Sequence, residues 1–196
     1  MNSIKQIEVI YNNRLVGRLA LTREGLCAFE YSAEWLSSGF SISPFELPLR
    51  SGVFIAKPRP FEGGFGVFDD CLPDGWGLLI LDRYLQQKGI NPRTLTLLDR
   101  LALVGSTGRG ALEFRPDNSV VTRQDFADFE KLALEAEKIL ASDDYMGEGI
   151  EEFQDRGGSP GGARPKIFVR YNDKEWLVKF RAKRDSQSIG GDEYRY

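Results

Sequence analysis

The chain carries at residues 157–180 the stretch GGSPGGARPKIFVRYNDKEWLVKF, in which a glycine-rich segment runs into two apolar segments around a polar turn. Glycines let a backbone turn its N–H groups toward one point and let a bulky anion approach closely. The alternating segments on either side of residues 172–174 predict a β-hairpin. Because Lys166 and Lys179 lie on these extended segments, they can bring positive charge to a polyphosphate. The stretch therefore predicts a nucleotide site.

Each of these features also has an ordinary explanation. A serine in a glycine-rich loop, such as Ser159, can be a simple turn hydroxyl, and Lys179 can be a surface charge on a strand. A conventional Gly-x-Gly-x-x-Gly loop between two strands is absent. The basic residues that crowd this end of the chain can form a solvated face; they are Arg164, Lys166, Lys179, Arg181, Lys183 and Arg184.

Composition excludes several classes of protein. Hydrophobic residues make up 41% and charged residues 28% of the 196 residues, which is typical of a globular chain. A net charge of -3 argues against broad binding to nucleic acid. Histidine is absent, which excludes Ser-His-Asp and Cys-His catalysis and histidine metal sites.

The cysteines and the lengths of the apolar runs predict the cellular compartment. Only Cys27 and Cys71 occur, far apart in the sequence, so neither a zinc site nor a disulfide framework is expected. This usage fits a reducing compartment. The first residues lack the apolar core of a signal peptide, and no apolar run is long enough to span a membrane. The sequence therefore predicts a soluble, cytoplasmic protein.

The first third of the chain reads as β structure. Alternation of apolar and polar residues predicts strands at residues 7–11, 15–21 and 27–31, which form a meander with one buried face. A single helical turn is predicted at residues 33–36. Residues 61–68 interleave three phenylalanines with glycines, a pattern that favours a hydrophobic layer over a ligand site.

Helices dominate the middle of the chain. One is predicted to open at Asp69–Trp76 and to end at Gly89, and a second to run from Thr94 to Gly105. The glycine-rich segment 105–110 lacks the Lys-Ser/Thr ending of a P-loop, so we interpret it as a turn that leads into a strand. An amphipathic helix is predicted from a capping box at Thr122 to Leu140.

Two further segments complete the prediction. Residues 141–155 are acidic and poor in apolar residues, which predicts a linker or a mobile segment. Residues 192–196 resemble the first turn of a helix. The acidic pairs Asp69-Asp70 and Asp143-Asp144 are interpreted as helix-cap and linker charges.

At residues 61–77 the chain reads FEGGFGVFDDCLPDGWG, which resembles the signature of the N-terminal domain of HipA-like serine/threonine kinases. These kinases are the toxins of bacterial type II toxin–antitoxin pairs. The resemblance extends over nearly the whole chain, because other motifs match in the same order; they are Ile42–Pro44, Leu47–Leu49, Gly157–Lys166, the surroundings of Lys179, and Asp192–Tyr194.

The resemblance implies an α+β fold in two parts. A small N-terminal domain with an antiparallel sheet and helices is followed by a truncated kinase-like N-lobe segment that contains the β-hairpin. The implied divisions are residues 1–115 for the HipA-type N-terminal domain, 116–156 for a connecting helix and acidic linker, and 157–196 for the start of the kinase domain.

The resemblance also implies a site that binds ATP with Mg²⁺. Lys179 matches the strand lysine that contacts ATP phosphates, and Glu193 matches a glutamate at the start of the following helix. Ser159 matches the position of autophosphorylation, which ejects the glycine-rich loop and inactivates the kinase. The nucleotide-binding part of that loop matches Gly161, Gly162, Ala163, Arg164, Pro165 and Lys166.

The catalytic residues and metal ligands of such kinases match none in this chain, because they lie beyond the point that corresponds to Tyr196. The chain alone is therefore expected to be inactive, or to bind ATP without transferring phosphate. The implied partner is a HipB-like helix-turn-helix antitoxin, and the implied substrate class is the aminoacyl-tRNA synthetases. A different hypothesis is a stand-alone regulatory module that docks on a separate kinase chain or on the antitoxin. No direct binding to nucleic acid is expected in either case.

Overall fold

The computed structural model describes residues 4–119, 128–156, 162–181, 185–186 and 188–196. Those residues contain an antiparallel sheet, a separate β-hairpin and seven helices, so the predicted α+β class is confirmed. The chain divides into two units, each with its own core. The first unit is Met1–Leu72 with Arg93–Val120, and the second is Pro73–Pro92 with Val121–Tyr196.

The first unit is built on a five-stranded antiparallel sheet. Its strands are β1 (Gln6–Tyr11), β2 (Arg14–Leu21), β3 (Cys27–Tyr31), β4 (Val53–Ile55) and β5 (Glu113–Arg115). The strand order is β4-β3-β2-β1-β5. The three predicted meander strands are therefore confirmed. Strand β4 was not predicted, because three residues are too short for a pattern of alternation.

Seven helices occur in the described residues, together with a 3-10 turn at Pro92–Thr94. They are α1 (Ala33–Ser38), α2 (Gly66–Asp69), α3 (Gly75–Gln87), α4 (Leu97–Val104), α5 (Phe129–Ala141), α6 (Gly149–Arg156) and α7 (Ile189–Arg195). The predicted turn at residues 33–36 is helix α1. The proposed capping box at Thr122 lies outside the described residues, and the N-cap of α5 is Asp128, whose side chain accepts a hydrogen bond from the N–H of Lys131.

Aromatic rings fill the core of the first unit. Phe29, Phe68 and Phe114 are fully buried. The Phe68 ring packs between the other two, with centroid distances of 5.5 Å to Phe29 and 6.4 Å to Phe114. Phe65 is also buried and packs edge-on against Phe68. The interpretation of residues 61–68 as a hydrophobic layer is therefore confirmed.

The second unit packs the hairpin on three helices. The hairpin consists of β6 (Lys166–Tyr171) and β7 (Lys174–Lys179), as the sequence predicted. Trp76 of α3, Phe153 of α6 and Phe180 share the buried cluster, and the Phe153 ring lies edge-on to the other two rings at 5.0 and 5.8 Å. Buried side chains of α5 complete this core.

Residues 141–155 differ from the predicted acidic linker, because they contain most of helix α6. Ile150 and Phe153 lie three residues apart on one face of α6 and are fully buried. The acidic residues between and around them hid this short amphipathic pattern, since two apolar positions in an eight-residue helix barely raise the local hydropathy. Packing of this face turned an apparently polar segment into part of the core.

Helix α3 lies within the predicted N-terminal domain, residues 1–115, but packs in the second unit. Its residues Trp76 and Ile80 belong to the core of that unit. Packing units need not coincide with evolutionary domains. The predicted domain boundaries therefore remain a prediction; they are 1–115, 116–156 and 157–196. What the packing adds is that the start of α3 and Gly162 lie in the same unit.

Candidate functional site

The hairpin places two lysines opposite each other at its open end. At the closed end Asn172 and Asp173 both adopt positive φ, 50° and 57°, as a two-residue hairpin turn requires. This turn sets the register, in which Lys166 of β6 lies directly across from Lys179 of β7. Residues that face each other in an antiparallel pair project to the same side of the sheet. The two lysine side chains therefore leave the hairpin on the same face.

Lys166 is a buried cation with only 5% of its surface exposed. Its Nζ donates to the carbonyl oxygen of Gly162 at 3.2 Å. Burial lowers the pKa of Lys166, and the positive charge of Lys179 lowers it further, whereas the carboxylate of Asp74 opposes both effects. Like charges directly opposite on two strands are destabilising. The open end of the hairpin therefore holds two like charges, and the carboxylate of Asp74 acts on one of them.

Glu193 of α7 bridges two of the cations. Its Oε2 lies 2.9 Å from Nζ of Lys179, and its Oε1 lies 2.5 Å from Nη1 of Arg164. The other guanidinium nitrogen of Arg164, Nη2, lies 3.2 Å from Oδ1 of Asp185. The hydrogen bond and the charge of Lys179 lower the pKa of Glu193, with a smaller contribution from Arg164. The strand lysine is thus oriented by a carboxylate on the following helix.

Gly162, at the end of the glycine-rich segment, is held by residues that precede helix α3 or begin it. The N–H of Gly162 donates to Oδ1 of Asp74 at 3.0 Å, and the carbonyl of Gly162 accepts from the N–H of Trp76 at 3.0 Å. Gly162 itself has φ of +101°, which favours glycine. Gly75 lies so close that a Cβ there would come within 2.6 Å of the carbonyl group of Gly162.

The structure brings together most of the residues that the sequence singled out. The hairpin begins at Lys166 and is directly preceded by Gly162, Ala163, Arg164 and Pro165. The carbonyl of Pro165 accepts a hydrogen bond from the N–H of Phe180 at 2.8 Å. Lys179 and Glu193 form an ion pair at the same end. The candidates Ser159 and Gly161 lie outside the described residues.

Sequence reasoning missed the residues that hold the loop from the side of α3. Asp74, Gly75 and Trp76 were interpreted as a helix start and as part of the signature at residues 61–77, with no role in the site, and Asp185 was not considered. Asp74 and Gly162 are 88 residues apart, so no spacing rule connects them. The available signal was Gly75, because a residue without a Cβ leaves room for another group to approach the backbone closely.

The cluster contains two compact point charges, Lys166 and Lys179, of a type that binds phosphate groups. The guanidinium of Arg164 is paired with Glu193 and Asp185. Within the described ranges, no group of three histidine, cysteine, aspartate or glutamate residues is placed to hold a metal ion. In the same part of the chain, no helix combines the length and the apolarity that crossing a bilayer needs.

Comparison with known families defines the class of the chain. A model of the family described as the HipA N-terminal domain matches residues 7–115, which is more than half of the 196 residues. The chain therefore belongs to the HipA N-terminal domain family. The match includes Asp74, Gly75 and Trp76, whereas Gly162, Lys166, Lys179 and Glu193 lie C-terminal to it. No curated protein matches the chain significantly.

Proposed function

We propose that the chain is the N-terminal portion of a HipA-like serine/threonine protein kinase, the toxin of a type II toxin–antitoxin system, and that its second unit holds the phosphates of ATP. Family membership supports the general class. The geometry of the cationic cluster supports the specific role. We propose that the base and the magnesium ligands of the phosphoryl transfer come from outside residues 1–196.

The ion pair between Lys179 and Glu193 carries the proposal. In protein kinases a strand lysine that contacts the nucleotide phosphates is held by a glutamate on the next helix, and both must be in place for activity. Here the lysine ends strand β7, the glutamate lies on α7, and their charged atoms are 2.9 Å apart. A glycine-rich segment ends beside the same lysine pair.

Each residue of the cluster has a defined part in this proposal. ATP with Mg²⁺ would supply the phosphoryl group and neutralise part of the phosphate charge. Lys166 and Lys179 would bind phosphate oxygens, and Glu193 would orient Lys179. Gly162 and Ala163 would let the phosphates approach the backbone. Arg164 would keep α7 against the hairpin through Glu193. By the family resemblance, Ser159 is the proposed site of autophosphorylation, and Gly161, Pro165 and Lys166 belong to the nucleotide-binding loop.

Partners and substrates follow from the same proposal. The antitoxin would be a HipB-like helix-turn-helix protein, and the phosphorylated substrate would be of the aminoacyl-tRNA synthetase type. Neither is a consequence of the geometry of the cluster. They rest on family membership alone.

Titration with a fluorescent ATP analogue tests nucleotide binding. Lys179→Ala should weaken binding at least about tenfold, because it removes a charge-assisted contact to phosphate. Lys174→Ala is the matched control: it removes an exposed lysine from the opposite end of the same strand and should leave the affinity unchanged. Equal affinities of the wild type and both variants would contradict the proposal.

A second candidate function is that of a docking module for an antitoxin or a separate kinase chain. The first unit exposes large apolar side chains, among them Phe45 (99% exposed) and Ile55 (61% exposed). Ile55 lies on β4, an edge strand, and such edges pair readily with other chains. The hairpin also exposes apolar side chains, Trp176 (52% exposed) and Leu177 (42% exposed), although Ile167, Val169 and Phe180 are buried.

Size-exclusion chromatography with the products of the neighbouring genes tests docking. Ile55→Lys should reduce the amount of complex, whereas Leu134→Lys, at an equally exposed position of α5, should not. A chain that elutes as a monomer with each product would rule out the docking function.

A further inference from the structure

Asp74 occupies the N-cap of helix α3 but does not cap that helix. An aspartate at this position normally accepts a hydrogen bond from the second or third backbone N–H of its own helix. In α3 the Asp74 side chain makes no such bond. Its Oδ1 instead accepts the N–H of Gly162, 88 residues further along the chain. The Asp74 carboxylate thus binds the backbone of Gly162 and leaves the first N–H groups of α3 without a side-chain cap.

The backbone of the same three residues completes the contact. Trp76 donates its N–H to the carbonyl of Gly162, so both peptide groups that flank the Gly162 Cα are held by Asp74 and Trp76. Between them Gly75 adopts φ of +47° and leaves no room for a Cβ. We call Asp74-Gly75-Trp76 the clamp. Trp76 itself is anchored in the core through its contact with Phe153.

We propose that the clamp is a positioning device for the phosphate loop, which fixes the backbone around Gly162 before any nucleotide is bound. Loop residues that are ordered in advance do not have to lose conformational freedom on binding, and this raises affinity. The proposal rests on the proposed nucleotide function. It assigns a part in the nucleotide site to Asp74-Gly75-Trp76, which lie within the match to the HipA N-terminal domain family.

Asp74 has two opposite effects on phosphate binding. Its hydrogen bond to Gly162 favours binding by ordering the loop, whereas its negative charge disfavours the binding of an anion. The carboxylate lies close enough to affect the pKa of Lys166, so it also reduces the positive potential of the site. Comparison of Asp74→Asn with Asp74→Ala separates the two effects. Both variants remove the charge, but only asparagine keeps an oxygen that accepts from Gly162.

Amide hydrogen exchange in the nucleotide-free full chain tests the clamp directly. Asp74→Ala should speed exchange of the Gly162 amide about tenfold, and Asp74→Asn about threefold, because a neutral acceptor forms a weaker bond than a carboxylate. Asp128→Ala is the matched control: it removes an N-cap aspartate that caps its own helix α5, and it should leave Gly162 exchange unchanged. Exchange at the buried Ile167 verifies that each variant is folded.

Unchanged exchange at Gly162 in a folded Asp74→Ala variant overturns the clamp. If that variant does not fold, Asp74→Asn decides alone, and unchanged exchange there has the same meaning. This arm requires no nucleotide, so it decides on the clamp even if the proposed function fails.

Titration with the fluorescent ATP analogue tests the consequence for binding. The dissociation constant of Asp74→Ala should exceed that of Asp74→Asn about three- to tenfold. Equal constants, together with faster exchange in Asp74→Ala, would mean that the clamp is structural only, and would overturn its positioning role. A wild type that does not bind the analogue would instead refute the proposed function.

Discussion

Asp99, near the start of α4, shows how one carboxylate organises its surroundings. Its Oδ1 accepts the N–H of Ile4 at 3.0 Å, and its Oδ2 accepts the N–H and the hydroxyl of Thr96 at 2.9 and 2.7 Å. The N–H of Asp99 donates in return to the Thr96 hydroxyl, which completes a capping box. Burial raises the pKa of Asp99, but these hydrogen bonds outweigh it, and the pKa lies below its usual value.

We predict that Asp99→Asn lowers the free energy of unfolding by about 1–3 kcal/mol at pH 7, because one of the donors loses its acceptor. Since the pKa of Asp99 is lowered by folding, its contribution is full above the unfolded pKa of about 3.9 and is lost as the pH falls through the folded value. Urea unfolding at several pH values measures the difference.

The control for Asp99 is Asp128→Asn, at the exposed N-cap of α5. Asparagine and aspartate cap a helix almost equally well, so this change should cost little. A loss for Asp99→Asn that is no larger than the control, or that grows at acidic pH, would contradict the prediction.

A comparison of two glycines with positive φ distinguishes the cost of backbone strain from the cost of a steric clash. Gly75 (φ +47°) faces the Gly162 backbone, whereas a Cβ at Gly89 (φ +74°) would meet nothing within 4 Å. We predict that Gly89→Ala costs about 1–2 kcal/mol, from the left-handed conformation alone. Gly75→Ala should cost about 1–3 kcal/mol more, because the methyl group has to displace the loop. Thermal unfolding of both variants measures this; equal losses would show that the loop yields freely.

The helices and strands of this chain differ in how well their sequences predict them. The alternating strands β1, β2 and β3 were predicted because each signals its buried face with several residues. The hairpin was predicted because its polar turn interrupts two apolar segments. Helix α6 was taken for a linker, since only Ile150 and Phe153 mark its buried face. A short element with two anchor residues becomes visible only when its packing partners are known.

Those two anchors make α6 a sensitive element. We predict that Phe153→Ala lowers the free energy of unfolding by about 3–5 kcal/mol, because the fully buried ring contacts Trp76 and Phe180 and leaves a cavity. Phe129→Ala, at a 43% exposed position at the start of α5, should change it by about 0.5 kcal/mol or less. Urea unfolding followed by circular dichroism compares them. Similar effects would mean that α6 is not part of the core.

On the scale of the whole molecule, charge is unevenly distributed. The chain carries 26 basic and 29 acidic residues, so its net charge is -3. Arg164, Lys166 and Lys179 nevertheless meet at one end of the hairpin, where the carboxylates of Glu193, Asp185 and Asp74 offset part of their charge. Nucleic-acid binding depends on many phosphate contacts spread over a surface, whereas a short polyphosphate needs only a local cluster.

We therefore predict that the chain does not bind duplex DNA at about 150 mM salt, a condition that screens scattered surface charges. Inorganic tripolyphosphate should still shift the amide resonances of Lys166 and Lys179, and Lys179→Ala should reduce the shifts. Fluorescence anisotropy and NMR titration measure the two ligands. DNA binding that falls steeply with added salt would contradict the prediction.

Local chemistry in the sequence was sufficient for the meander, for the hairpin with its turn at Asn172-Asp173, and for the adjacency of the glycine-rich segment and Lys166. These features depend on neighbours within a few residues, and their patterns report on such neighbours. Only the tertiary structure decided the burial of Lys166, the place of α6 in the core, and the contact between Asp74 and Gly162. A hydrogen bond between residues 88 positions apart depends on how whole helices and strands pack, and no spacing along the chain encodes that.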